Sequence, residues 1–131
     1  KELQFLAKKL KVENKIIWID FIDRVQDFYE TIDLFVLTSR YEGLGFVFLE
    51  SMIFKKPIIT CNTSAMPEII KNNYNGFLVP PNNPKFLAKT ILKLKDKKKR
   101  KKLGFNGYLF VKKNMSLIKM FNKINSVYKN K

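Results

Sequence analysis

Two glutamates separated by seven residues, Glu42 and Glu50, bracket a Gly43-Leu44-Gly45 turn and the start of an apolar run, Phe46-Val47-Phe48-Leu49. A carboxylate is a poor ligand for phosphate and a good acceptor for hydroxyls. Backbone amides freed where a turn opens a helix attract phosphate, and the helix dipole reinforces them. Carboxylates on both sides of such a turn suit a ligand with a phosphate centre and hydroxyl-rich ends, and a nucleotide sugar has that shape. Each feature also has an ordinary reading. Glu42 fits a solvated loop position, and Gly43 and Gly45 could serve only to supply positive φ. Glu50 has Phe46 and Phe54 at i−4 and i+4 and no lysine within one turn. Burying an unpaired carboxylate costs roughly several kcal/mol or forces protonation. A ribose diol would resolve that conflict; alternatively, Glu50 and Ser51 form the one solvent-facing edge of a core helix.

The elements that must position these residues follow from hydrophobic patterning. Asp33-Leu34-Phe35-Val36-Leu37-Thr38-Ser39 reads as a buried strand closed by small polar residues. The order is strand, Glu-Gly-x-Gly turn, helix. In open α/β sheets ligands bind where strand C-termini hand over to helix N-termini. Strands are expected near 15–19, 34–38, 57–60 and 76–79, with helices at 1–11, 24–31, 45–55, 66–71 and 84–95. Pro80-Pro81 and Pro84 stop the last strand and prepare the next helix. This alternation implies an α/β fold, a parallel sheet of about four strands with flanking helices. Leu117, Ile118, Phe121, Ile124 and Tyr128 recur at helical spacing, either as local core or as a docking face.

The segment Ser39-Arg40-Tyr41-Glu42-Gly43-Leu44-Gly45 with Glu50 resembles the E-x7-E signature of group 1 (family 4) retaining glycosyltransferases of the GT-B fold. The likeness continues through Ile16 to Ile22, Pro57 to Thr60, Met66 to Ile70, and Asn75 to Pro84, covering roughly residues 3 to 128. The resemblance implies a Rossmann-like sheet and a partial C-terminal domain, residues 1–131, of a two-domain enzyme whose N-terminal domain is absent. It assigns Glu42 a catalytic role, holding donor-sugar hydroxyls and stabilising positive charge at the anomeric carbon. It gives Glu50 the nucleotide ribose, the amides of Gly43, Leu44 and Gly45 the diphosphate, and Phe21 and Ile22 the border of the base. Two positions depart from the family pattern: Asp20 stands where Gly is common, and Ser64-Ala65 replace a frequent Gly-Gly. The second change suggests a stiffer or differently aimed loop.

The chain has 131 residues, one domain's worth, and starts at Lys1, so it is expected to be the distal part of a larger enzyme. It contains no histidine and a single cysteine, Cys61. A His-based triad, a zinc site and an internal disulfide cannot be built from these residues alone. No Asp-x-Asp carboxylate pair is present, so no metal and no cofactor are expected, the nucleotide-diphosphate sugar being a substrate. No run reaches the length of a membrane span, and a cytoplasmic location is expected.

Net charge is +15, from 26 basic and 11 acidic residues, with the run Lys97 to Lys102 densest. Such a run can attract anionic lipid at the inner face of the plasma membrane, or be the solvated face and turn of two surface helices, with part of the charge owed to coding bias. It has no interleaved aromatics, which argues against nucleic acid. The expected activity is transfer of a sugar, with retention, to a polysaccharide or lipid-linked acceptor of the cell envelope. The alternatives are a GT-B sugar-nucleotide epimerase and a non-catalytic docking module for lipid or nucleotide.

Overall fold

The structure is a computed structural model that describes residues 1–43 and 45–129; within the last helix the side chains of Leu117, Ile118, Lys123 and Lys129 lie outside the described set. In chain order the elements are α1 (Glu2–Lys9), α2 (Val25–Thr31), β1 (Phe35–Leu37), α3 (Phe46–Ile53), β2 (Ile58–Cys61), α4 (Met66–Ile69), β3 (Gly76–Val79), α5 (Pro84–Lys93), α6 (Lys97–Asn114) and α7 (Leu117–Lys129). The strands form one parallel sheet in the order β1-β2-β3, with Phe35 opposite Ile58 and Ile58 opposite Gly76.

Strand alternation divides the core in two. Ile58 joins Phe48, Met52, Met66, Ile69 and Ile70 on one face, with Phe35, Leu37 and Leu78 packed against them. Ile59 and Cys61 join Phe77, Val79, Leu94 and Leu103 on the other, beside Leu34 and Leu87. Helix α3 therefore covers the first face and α5 the second. Helix α5 starts as the Asn83-Pro84 pair predicts: the Asn83 side chain accepts from the Phe86 N–H at 3.0 Å and Pro84 fills the first turn.

Helix α3 ends in a closed motif. The Lys55 N–H donates to Met52 O and the Lys56 N–H to Ser51 O, with Lys55 left-handed at φ 55°. This is the Schellman arrangement, with lysine where glycine is usual. The carbonyl it exposes, Lys55 O, would lie 1.8 Å from a Cβ added to Gly104. Only glycine lets α6 approach so closely, and Gly107 meets Met52 one turn on.

Two expectations need correction. The 15–19 segment is no strand: residues 16–19 are outside the sheet, Ile17 is 88% exposed, and the sheet has three strands. A strand exists only when a neighbouring backbone fills its N–H and C=O groups. Among the described residues no strand pairs with this segment, and β1 pairs only with β2. The basic run does join two surface helices: α5 ends at Lys93, and α6 begins at Lys97 as a single 18-residue helix. Asp96 makes that start tolerable, its carboxylate accepting from the Lys98 N–H at 2.8 Å. Finally, local core packing does not explain the α7 stripe, since Phe121, Ile124 and Tyr128 are exposed; the side chain of Ile118 lies outside the described residues.

Candidate functional site

Helix α3 opens at the carboxyl end of β1 through the turn that carries Glu42. Gly45 caps it at φ 58°, ψ 72°, with no side-chain cap, and its carbonyl accepts from the Phe48 N–H at 2.9 Å. The first amides of α3 are therefore free of side-chain partners. Gly45 has two reasons to be glycine. Its backbone is left-handed, and an added Cβ would fall 2.5 Å from the Phe48 ring. Gly43 has neither, since its φ is not positive and nothing lies within 4 Å of where its Cβ would be. The turn thus presents open space to a ligand at Gly43 and a rigid corner at Gly45.

The two carboxylates differ. Glu42 is half-buried and has no hydrogen-bond or ion-pair partner among the described residues. Glu50 is also half-buried, and its Oε2 lies 3.1 Å from the Tyr29 hydroxyl, which is also 3.2 Å from Val47 O. Glu50 is therefore not an unpaired carboxylate. It does not share a wet edge with Ser51 either, because Ser51 is fully buried and its Oγ has no partner among the described residues. The exposed positions of α3 are Phe46, Val47 and Ile53.

Tyr29 is the residue that sequence reasoning missed. It comes from α2, 21 residues upstream of Glu50, and is 2% exposed. Its ring stacks on Phe54 at 5.4 Å and leans on Phe35 at 5.9 Å. Burial pushes the phenol well above its ordinary range, and the Glu50 hydrogen bond and charge push it further. The available signal was indirect: an apolar helix holding a Glu with no partner on its own surface.

The remaining expected residues are distributed differently. Leu44 lies outside the described residues. Phe21 is exposed and Ile22 half-buried, and no hydrogen bond or ring contact among the described residues joins them to the 42–50 turn. A cleft of about 200 Å³ opens at the strand carboxyl ends, lined by Thr38, Arg40, Cys61, Val79, Asn82 and Leu87. It lies on the α5 side of the sheet and contains neither glutamate. Ser64 has a left-handed φ of 50°. A left-handed backbone of this kind strains a residue with a side chain.

Lys97, Lys98, Lys101 and Lys102 are exposed, whereas Arg100 is held by Asp33 at 3.2 Å and by Leu94 O and Lys95 O. Lys97, Arg100 and Lys101 border a groove with Asp33 and Pro57, the residues leading into β1 and β2. The basic patch therefore sits at the amino ends of the strands, opposite the Glu42–Gly45 turn. No described helix is long and apolar enough to cross a membrane.

Residues 1–110 match the family model described as glycosyl transferases group 1. An uncharacterised glycosyltransferase of Methanocaldococcus jannaschii is 37% identical over 82% of this chain and 33% of its own length. The O-antigen biosynthesis glycosyltransferase WclY of Escherichia coli is 30% identical over 95% of this chain and 34% of its own. The chain thus spans about a third of these relatives. Among solved structures, the C-terminal domain of the group 1 glycosyl transferase LpcC from Francisella tularensis superposes with a TM-score of 0.76 at 32% identity, covering 88% of this chain and 62% of that one. Anabaena HepE, solved with UDP-glucose, shares the fold at a TM-score of 0.88 and 23% identity, over 99% of this chain and 36% of its own. With its strand–turn–helix geometry and a family match reaching from the first residue to within four residues of the end of α6, this chain belongs to the glycosyl transferases group 1.

Proposed function

We propose that this chain is the donor-binding part of a retaining, metal-independent glycosyltransferase, and that a first Rossmann-like domain completes its cleft. The observation that carries the reading is the α3 corner: an uncapped helix start, open space at Gly43, and a carboxylate on either side. The amides around Gly43 to Gly45 would take the diphosphate, stabilising it as it departs. Glu42 would hold the sugar hydroxyls and offset positive charge at the anomeric carbon, and Glu50 would accept from the ribose diol. Phe21 and Ile22 would border the base. The UDP-glucose bound by HepE supports a nucleotide-diphosphate sugar as donor. The role of WclY in O-antigen biosynthesis supports a saccharide or lipid-linked acceptor of the cell envelope.

The test is kinetic, on the complete enzyme. Glu42→Gln should remove most turnover, because an amide cannot stabilise developing positive charge as a carboxylate does; Glu50→Gln should mainly raise the donor KM. Unchanged turnover and donor affinity in both variants would refute the assignment. Product analysis without acceptor separates transfer from epimerisation. A peripheral location at an anionic membrane face is proposed on the four exposed lysines at the start of α6. Their position opposite the donor turn makes them a tether, not an acceptor channel.

A further inference from the structure

Glu50 is held from outside its own helix. The Tyr29 ring is buried and packed by Phe28 at 5.3 Å, Phe35 at 5.9 Å and Phe54 at 5.4 Å, so its hydroxyl has little freedom. That hydroxyl carries one proton and faces two acceptors, Glu50 Oε2 at 3.1 Å and Val47 O at 3.2 Å. A hydrogen bond to an ionised acceptor is about twice as strong as a neutral one, so the proton goes to Oε2. The other carboxylate oxygen, Oε1, has no partner among the described residues. A carboxylate fixed at one oxygen has its plane set and its second oxygen presented in one direction. A flexible glutamate would lose rotamer freedom on binding a ligand; this one has already lost it.

We propose that Tyr29 is a positioning residue: its hydroxyl orients the Glu50 carboxylate so that the free oxygen meets a vicinal diol, the ribose of the donor. This rests on the donor-binding reading above. The side chain reaches the ligand only through Glu50, so it is not a catalytic residue. A residue serving the fold alone would affect every donor equally; a positioning residue affects only donors that use the diol.

The experiment compares a nucleotide sugar with its 2′,3′-dideoxyribose analogue in the complete enzyme, for wild type, Tyr29→Phe, Glu50→Gln and the double variant. Phenylalanine fills the same ring site, so the change is confined to one hydroxyl. Tyr29→Phe should raise the donor KM by up to about tenfold, the cost of ordering the Glu50 side chain on binding, with kcat within about twofold. With the dideoxy donor it should change nothing, and in the Glu50→Gln background it should add nothing. If Glu50→Gln discriminates between the donors and Tyr29→Phe does not, the Tyr29 inference fails alone. If Glu50→Gln does not discriminate, the ribose reading fails and takes this inference with it. Equal loss on both donors in Tyr29→Phe also overturns it, reducing Tyr29 to a packing role. Fluorotyrosine incorporated at position 29 is the second probe should Tyr29→Phe not fold. Its more acidic phenol should lower the KM of the ribose donor only, and a rise or no change counts against the proposal.

Discussion

Substituting alanine at the two glycines of the candidate turn separates backbone geometry from ligand space. At Gly45 the backbone is left-handed, φ 58°, which costs an L-residue about 1–2 kcal/mol. The new Cβ would also stand 2.5 Å and 2.7 Å from two carbons of the Phe48 ring. Phe48 is fully buried in the α3-side core, so the ring cannot swing away without disturbing Met52 and Met66. Overpacking of this kind costs typically about 1–3 kcal/mol. Gly45→Ala should therefore lose about 2–5 kcal/mol, or on the order of 10 °C in Tm for a chain of this length. At Gly43 the backbone is ordinary and the space is empty. Gly43→Ala should leave stability unchanged or raise it by up to ~1 kcal/mol through the unfolded chain. Its effect should fall on donor affinity, because its methyl occupies the open side of the turn. Urea unfolding of the two variants and donor titration of the same substitutions in the complete enzyme give the result. Equal destabilisation by the two substitutions would refute the geometry, and full donor affinity in Gly43→Ala would refute the ligand reading.

Other perturbations have equally definite outcomes. Gly104→Ala should force α6 more than an ångström off Lys55 O and cost about 3 kcal/mol, read by denaturant midpoint. Asp96→Ala removes the acceptor for Lys98 N–H beneath a basic first turn and should cost about 1 kcal/mol. Because the folded state raises the Tyr29 pKa above its ordinary 10.0, its contribution is intact below about pH 10 and is lost as pH rises beyond that; Tyr29→Phe should flatten that part of the alkaline stability profile. Replacing Lys97, Lys98, Lys101 and Lys102 by glutamine should weaken binding to anionic vesicles, most at low salt, since screening cuts the reach of exposed charge to about 8 Å at physiological ionic strength. Equal binding to neutral vesicles would reduce the patch to composition.

How much was legible depends on how local the cause was. The strands β1, β2 and β3 were legible because each is a short apolar run closed by polar or Pro-rich residues, and α5 because Asn83 and Pro84 cap it locally. The 15–19 segment has the same composition as those strands, yet pairing is a property of neighbours and not of the run. The extent of helix α6 was hidden: its first six residues are all basic, and Gly104 and Gly107 look like helix breakers. Contact with α3 reverses their meaning, since the missing side chains admit Lys55 O and Met52. The Glu42–Gly45–Glu50 constellation was visible as spacing. The Tyr29–Glu50 bond was not, because nothing in a linear pattern pairs residues 21 positions apart.

Helix α3 is constrained on every side that has a neighbour. Gly45 and Phe48 lock its start, the Schellman motif against Gly104 locks its end, and Tyr29 holds Glu50 from the flank. The same helix leaves Phe46, Val47 and Ile53 exposed, and Leu3, Phe5, Ile17, Phe121 and Tyr128 are exposed elsewhere. Rigidity where a donor's phosphate and ribose would bind needs only short contacts inside this domain, and those are present. The apolar surfaces left open need partners of their own, and the free edge of β1 adds unpaired backbone. The isolated 131 residues should consequently be marginally stable or self-associate at physiological salt and bind nucleotide sugars weakly. At low salt a net charge of +15 opposes association, so the comparison has to be made across ionic strength. A cooperative monomer with micromolar donor affinity at physiological salt would mean that the α3 corner is a sufficient binding site without any further surface.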